Sequence, residues 1–271
     1  MESSMVPELD TRGVVPIENP QKSTHGTPCE GCHGLCLPNP CRAAYLGGVS
    51  SGKTNALLCT LGQCHAWRPF KHIYLMSPNN ETTRKGEYGV LDDVTCLDHW
   101  PTLDYWESRP GRSALIVDDI SWSLSKRGSP SQHELADRTC GHISSHHSGG
   151  LSIFIAQQTH TGITPNIRRL ISHWFLFPRR LSVDSVGHIA RSCMLEKQTL
   201  RKILDFCDGP YDFMLIENIP CEHRSRARKN GWQNVKGLLH HFHIRWDQLV
   251  WGAWRFDLRA NSSFSSVRGP R

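Results

Sequence analysis

Gly47-Gly48-Val49-Ser50-Ser51-Gly52-Lys53-Thr54 matches G-x-x-x-x-G-K-[ST] at every fixed position. Each fixed residue type has a physical reason. Glycines let the chain turn tightly, so successive N–H groups face inward toward anionic oxygens. The lysine reaches β/γ-phosphates as a point charge, and the final hydroxyl sits where Mg²⁺ binds. A glycine-rich turn can produce the same string by chance, so its flanks decide. Arg42-Ala43-Ala44-Tyr45-Leu46 precedes it as an emerging strand. Asn55-Ala56-Leu57-Leu58-Cys59-Thr60-Leu61-Gly62 follows as a helix, whose N-terminus favours phosphate. Strand, loop and helix in this order mark a nucleotide site. Its binding positions are Gly47, Gly48, Val49, Ser50, Ser51, Gly52, Lys53, Thr54 and Asn55.

Outward from the loop, 65 residues beyond Lys53, Ala114-Leu115-Ile116-Val117-Asp118-Asp119 reads as a buried strand ending in two carboxylates. Apolar residues in an unbroken run belong inside a sheet, and ligands bind at the carboxyl ends of such strands. A strand ending in an acidic turn is common in isolation; downstream of a phosphate loop it is the second half of the site, the Walker B pattern. A further apolar run, Leu151-Ser152-Ile153-Phe154-Ile155-Ala156, ends in Gln157-Gln158. A polar side chain leaving that strand can contact the attacking water or the γ-phosphate, the position of a sensor.

The remaining elements are placed more coarsely. Lys71–Ser77 reads as a strand, one strand intervening between loop and carboxylates, and 79–112 carries no clear period. Residues 121–131 form a polar loop, followed by a helix from Gln132 to about His147. Ile167-Arg168-Arg169-Leu170-Ile171 leads into a strand at His173-Trp174-Phe175-Leu176-Phe177. Residues 183–208 have helical spacing, with Val186, Ile189, Met194, Leu200, Ile203, Leu204 and Phe206 apolar. A last strand, Tyr211–Ile216, follows Asp208-Gly209-Pro210. The expected fold class is α/β, a mainly parallel central sheet flanked by helices.

Composition bounds the rest. A chain of 271 residues buries a sizeable core and fits one α/β domain with appendages. No run of about 18 apolar residues occurs, and the first residues lack a basic-then-apolar signal pattern, so a soluble, non-secreted protein without a membrane partner is expected. Eleven cysteines, an odd number spread through apparent core segments, suit a reducing compartment better than a disulfide framework. The net charge of +6 is uneven. Residues 222–271 hold ten Lys/Arg against three Asp/Glu, whereas the other 221 residues hold 21 against 22. That basic tail is suited to nucleic acid or another polyanion, its alternative being a solvated tail with no specific partner. Cys29, Cys32, Cys36 and Cys41, with His33, are the ligand types of Zn²⁺. No second knuckle follows at the usual distance and Cys41 already begins the first strand, so reduced loop cysteines are the reading preferred over zinc.

Taken together, the motifs between Cys41 and Pro220 resemble the DNA-packaging ATPases of double-stranded DNA viruses in the FtsK/HerA superfamily, the poxvirus-type enzyme and its Polinton and adintovirus-like relatives. The likeness rests on the loop, on Leu115–Asp119, and on His146-His147 shortly before Leu151–Gln158. It continues in Ile167–Arg179 and in Pro210-Tyr211-Asp212-Phe213-Met214-Leu215-Ile216-Glu217. The resemblance implies a P-loop NTPase of the additional-strand, RecA/FtsK-like type. It implies ATP and Mg²⁺ as cofactors. Lys53 would be on the β/γ-phosphates, Thr54 and Asp118 on the metal, Asp119 polarising the attacking water and Gln158 sensing. Two departures stand out. Many relatives carry glycine at the place of Ser50, and a basic residue at the place of Ser145, just before the histidine pair. If that basic residue is the arginine finger, Arg138, Arg168 or Arg169 has to substitute.

The expected organisation is an arm with the cysteine cluster over 1–40, the ATPase domain over 41–220 and the basic tail over 221–271. The expected function is a motor that hydrolyses ATP and moves viral duplex DNA into a capsid. Its expected partners are double-stranded DNA, further copies of itself in a ring, and a capsid or portal component. Its expected place is inside the infected cell, in the nucleus or virus factory, or with the virion. A helicase-like translocase of replication, a small P-loop kinase and a non-catalytic scaffold are the rivals. The paired carboxylates and the glutamine-ended strand favour hydrolysis over phosphoryl transfer to a small acceptor.

Overall fold

Strands whose residues are apolar without a break have no face to turn to water, so they need cover on both sides. The computed structural model describes residues 37–79, 83, 86–91, 93–120, 130–181, 183–218 and 227–229. In it, β1 (Arg42–Leu46), β2 (His72–Met76), β3 (Val94–Cys96), β4 (Ser113–Asp118), β5 (Leu151–Gln157), β6 (His173–Leu176), β7 (Met214–Glu217) and β8 (Ala227–Lys229) form one sheet in the order β3-β2-β4-β5-β1-β6-β7-β8. Strands β1 to β6 pair in parallel, and β7 pairs antiparallel with both β6 and β8 at one edge. Helices α1 (Lys53–Trp67), α2 (Leu103–Glu107), α3 (Pro130–Arg138), α4 (Pro165–Leu170), α5 (Val183–Ser192) and α6 (Lys197–Leu204) connect them.

Period-2 alternation divides the core in two. Ala43, Tyr45, Leu75, Ile116, Phe154, Phe175 and Leu215 face α1, where Ala56, Leu57 and Leu61 meet them. Ala44, Leu46, Met76, Val117, Ile153, Ile155, Trp174 and Ile216 face the opposite way, toward Ala136, Ile143, Ile167, Ile189 and Leu200. Each fully buried Leu, Ile, Val, Phe or Met among them contributes about 1.5–3 kcal/mol. Strand β5 lies between β1 and β4, pairing Leu46 with Gln157 and Asp118 with Ala156. Interposing a strand there is what defines the additional-strand class.

Three expectations change and a fourth, the helix from Gln132 to about His147, holds with a local difference. Two strands, not one, intervene in sequence between the loop and the carboxylates, because three-residue β3 is too short to show a period. The sheet continues past Pro220 through β8, drawn from the basic segment. The helical stretch over 183–208 is two helices, broken at Met194, whose φ of 52° is left-handed and whose side chain is 67% exposed. Helix α3 continues to His146 through a π-helical turn, Thr139–Ile143. Arg42 meets that turn: its Nε donates to the Cys140 carbonyl, and its Nη2 donates to the Gly141 carbonyl at 3.0 Å and to Ser145 Oγ at 2.6 Å. A π-turn displaces carbonyls from the helical ladder, and this guanidinium supplies donors for them.

Candidate nucleotide site

Chain direction brings the site together. Parallel β1, β5 and β4 end at the same edge, where Gly47 N–H donates to the Gln157 carbonyl at 3.3 Å and Asp119 N–H to the Ala156 carbonyl at 3.0 Å. The phosphate loop, the carboxylate pair and the glutamine pair are therefore neighbours. The loop turns through left-handed residues at Ser50 (φ 56°) and Gly52 (φ 98°). Ser50 thus occupies the backbone region glycine enters without strain, a cost of about 1 kcal/mol for a side chain. At Gly47 a Cβ would lie 2.7 Å from Phe177 Cβ, so the loop's first glycine is required by packing. Half-exposed Tyr211 lies over Gly52, its Cδ1 3.4 Å from where a Cβ would stand.

Helix α1 begins directly at Lys53 with no side-chain cap, which leaves its first N–H groups facing the loop. Lys53 is 9% exposed, and its Nζ donates to the Gly48 carbonyl at 2.9 Å. Burial lowers its pKa, opposed by the nearby carboxylates Asp119, Asp118 and Glu87. The buried Ser51 hydroxyl has no hydrogen-bond partner. Val49 stands at the exposed tip of the loop. Thr54 Oγ1 donates to Glu87 Oε2 at 3.5 Å.

Asp118 is buried, and its carboxyl is pushed up to about 6, first by burial and then by Asp119 and Glu87, against the opposing pull of Tyr88 and Lys53. Asp119 is exposed and held at φ 48°. Gln158 Nε2 donates to Asp119 Oδ2 at 2.8 Å. The two glutamines have different tasks: buried Gln157 donates to the Ile120 carbonyl at 2.8 Å and braces the turn, and only Gln158 faces the carboxylate.

The residues fit a nucleotide with a hard cation. An uncapped helix N-terminus, a lysine and an unpartnered buried hydroxyl suit phosphate; Thr54 and Asp118 offer the oxygen ligands magnesium takes. Among the described residues no three His, Cys, Asp or Glu side chains converge on one point. The zinc reading fares differently. Cys41 is buried at the start of β1, its thiol pushed up by burial, so the thiolate zinc needs is disfavoured. Cys29, Cys32 and Cys36 lie outside the described residues.

The arginines do not join the site. Arg168 and Arg169 sit in the last turn of α4, leading into the start of β6 at the sheet end opposite the loop. Arg168 Nη1 donates to His160 Nδ1 at 2.9 Å, and His160 Nε2 donates in turn to Ser192 Oγ at 2.8 Å. Burial, then Arg168, lowers the His160 pKa to about 4, which keeps the ring neutral and able to accept from arginine. Arg168 is thereby a strut inside its own subunit. Arg169 is exposed, and Arg138 is paired with Glu134 at 2.5 Å on the surface. At Ser145 the guanidinium of Arg42 arrives from β1. His146 stacks on His142 with ring centroids 4.4 Å apart, and His147 Nε2 lies 3.0 Å from the Arg109 carbonyl.

Two residues at the site carry no sequence signal. Glu87 and Tyr88 come from the stretch without period between β2 and β3, and a single acidic residue in a turn has nothing to mark it. Tyr88 is fully buried, its hydroxyl beside Asp118 yet outside hydrogen-bond geometry and without another partner.

No protein-family model matches the chain, and no curated protein matches it in sequence. Among solved structures it is similar to the genome packaging NTPase B204 of Sulfolobus turreted icosahedral virus 2 in complex with ATP-gammaS, at 11% identity over 70% of this chain and 96% of that one, with a TM-score of 0.46. It is similar to B204, the DNA-packaging ATPase of Sulfolobus turreted icosahedral virus, at 11% identity over 70% and 97%, TM-score 0.43. It is similar also to the pCW3 conjugation coupling protein TcpA, at 12% identity over 73% and 62%, TM-score 0.44. The chain's own strand order and loop geometry place it in the α/β P-loop NTPase fold, additional-strand class.

Proposed function

We propose that this chain is an ATP-hydrolysing motor subunit that translocates duplex DNA, and that the DNA it moves is a viral genome entering a capsid. One observation carries the hydrolysis reading: Gln158 holds Asp119 at 2.8 Å on the strand edge shared with Lys53 and Asp118. Hydrolysis needs a carboxylate that can polarise water and a group that orients it, and this pair supplies both. Lys53, buried against three carboxylates, exchanges its Gly48 carbonyl for the β/γ-phosphates. Thr54 and Asp118 would hold magnesium, which would supply positive charge against the phosphates. Asp119 takes the proton of the attacking water. The DNA reading is supported by the motif resemblance and by the excess of Lys/Arg after residue 221.

Charge developing on the transferred phosphoryl calls for an arginine, and no arginine proposed for that role lies at the loop end of this subunit. A neighbour therefore completes the site, which makes a ring the working form; exposed Arg169 is a better donor than Arg168, whose guanidinium His160 already engages. The protein acts inside the infected cell, in the nucleus or virus factory, against a capsid or portal component.

ATPase assays with and without duplex DNA test this. Wild type turns ATP over faster with DNA. Lys53→Ala abolishes turnover, and Asp119→Asn lowers it by about 10²–10⁴-fold with nucleotide still bound. Turnover retained in Lys53→Ala removes the loop as the active site. In infected cells, normal genome copy number with empty capsids in a Lys53→Ala strain separates packaging from replicative translocation.

A further inference from the structure

We infer that Glu87, backed by Tyr88, is a positioning residue for the metal end of this site. The inference rests on the nucleotide-site reading above and adds to it a third element, the turn between β2 and β3. The Thr54 hydroxyl has one proton and two lone pairs. To ligate a cation it must offer a lone pair and send its proton elsewhere, and the Glu87 Oε2 that receives it is 3.5 Å away. That distance is long for a hydrogen bond, and a small side-chain rotation closes it. Glu87 also lies within electrostatic reach of Lys53 and Asp118. Three carboxylates then face one ammonium, an imbalance that a divalent cation offsets.

Tyr88 supplies the independent observation. It is 0% exposed, packed in the α1-side core, and its hydroxyl lies beside Asp118, near enough to stabilise that carboxylate but short of hydrogen-bond geometry. A buried hydroxyl left unsatisfied is costly, and a slight shift toward Asp118 or a water on a bound cation would satisfy it. The turn is anchored, since Tyr88 N–H donates to the Thr83 carbonyl at 3.1 Å and Leu91 N–H to the Tyr88 carbonyl at 3.0 Å. Outer partners of this kind orient the ligating atoms, and their loss typically weakens metal binding by about 10–100-fold.

Titrating a fluorescent ATP analogue in EDTA and in MgCl₂ reads this out separately from turnover. Wild type binds in EDTA and tighter in Mg²⁺. Glu87→Gln binds as wild type in EDTA but loses about tenfold or more of the Mg²⁺-dependent gain. Glu87→Asp recovers part of it. Tyr88→Phe, which keeps the buried ring, loses a smaller share. A Mg²⁺ gain in Glu87→Gln equal to wild type overturns the inference, and leaves the nucleotide site intact. Wild type that takes no nucleotide overturns the site and the inference together. Glu87 is exposed, so its variants fold and decide the question even if Tyr88→Phe unfolds.

Discussion

The proposed mechanism requires a charged Asp118, yet this residue sits where charge is disfavoured. Its carboxyl is raised from 3.8 to about 6, chiefly by burial and next by Asp119. The consequence for stability follows in sign. The folded state binds a proton that the unfolded state releases between these values, so Asp118's contribution is fully present below about 3.8 and lost as pH rises through about 6. A shift of that size corresponds to about 3 kcal/mol at neutral pH. Asp118→Asn should therefore raise the melting temperature of the nucleotide-free protein at pH 7.5 by several degrees, with the gain shrinking toward pH 4.5; a gain independent of pH would refute the assignment. Two further residues at this edge, Ser50 and Asp119, are held at left-handed φ. The irregularity of Ser50 was visible in the loop motif; that of Asp119 was not, because an aspartate is ordinary at a strand end and only the return of the chain beside β5 fixes its φ.

At the level of elements, the π-turn in the helix after β4 carries the most specific claim. Thr139-Cys140-Gly141-His142-Ile143 reads in sequence as plain helix, and the extra residue in its turn appears only because Arg42 is there to receive the carbonyls. The guanidinium fork spans Cys140, Gly141 and Ser145 together, which a lysine point charge cannot do. Arg42→Met should lower stability by about 2–4 kcal/mol, and Arg42→Lys should recover less than half of that. Thermal unfolding of the two variants measures it. Full recovery with lysine would mean that charge near the helix end, and not the fork, is what matters. The same logic separates two neighbouring arginines: adjacency in sequence says nothing about direction, and His160 draws Arg168 inward while Arg169 stays exposed.

For the whole molecule, the edge strand β8 changes how the basic tail can be tested. Arg228 and Lys229 belong to the sheet, paired with Leu215 and Met214, so cutting at Pro220 removes both charge and structure. Six of the tail's ten Lys/Arg follow Asn230. A chain ending at Asn230 should keep the melting temperature of the full chain while binding duplex DNA more weakly, with a shallower dependence of log K on log salt. Fluorescence anisotropy across a potassium chloride series checks this, and an unchanged slope would reject the tail as a DNA contact. A chain ending at Pro220 should lose thermal stability as well. No helix of the described residues is long and apolar enough to cross a membrane.

The sequence alone determined whatever is contiguous: the loop at 47–54 with its strand and helix, the buried run ending at Asp118-Asp119, and the run ending at Gln157-Gln158. These are local because a phosphate cradle and a two-sided buried strand are each made by neighbours in the chain. Only the tertiary structure decided which strands lie side by side, and the hydrogen-bond register that inserts β5 between β1 and β4 is what sets Gln158 on Asp119. It also decided that Glu87 and Tyr88 lie beside Thr54 and Asp118 and that Arg168 turns inward to His160. Those facts depend on how the polar groups of distant segments are satisfied once burial removes water, and no spacing along the chain encodes that.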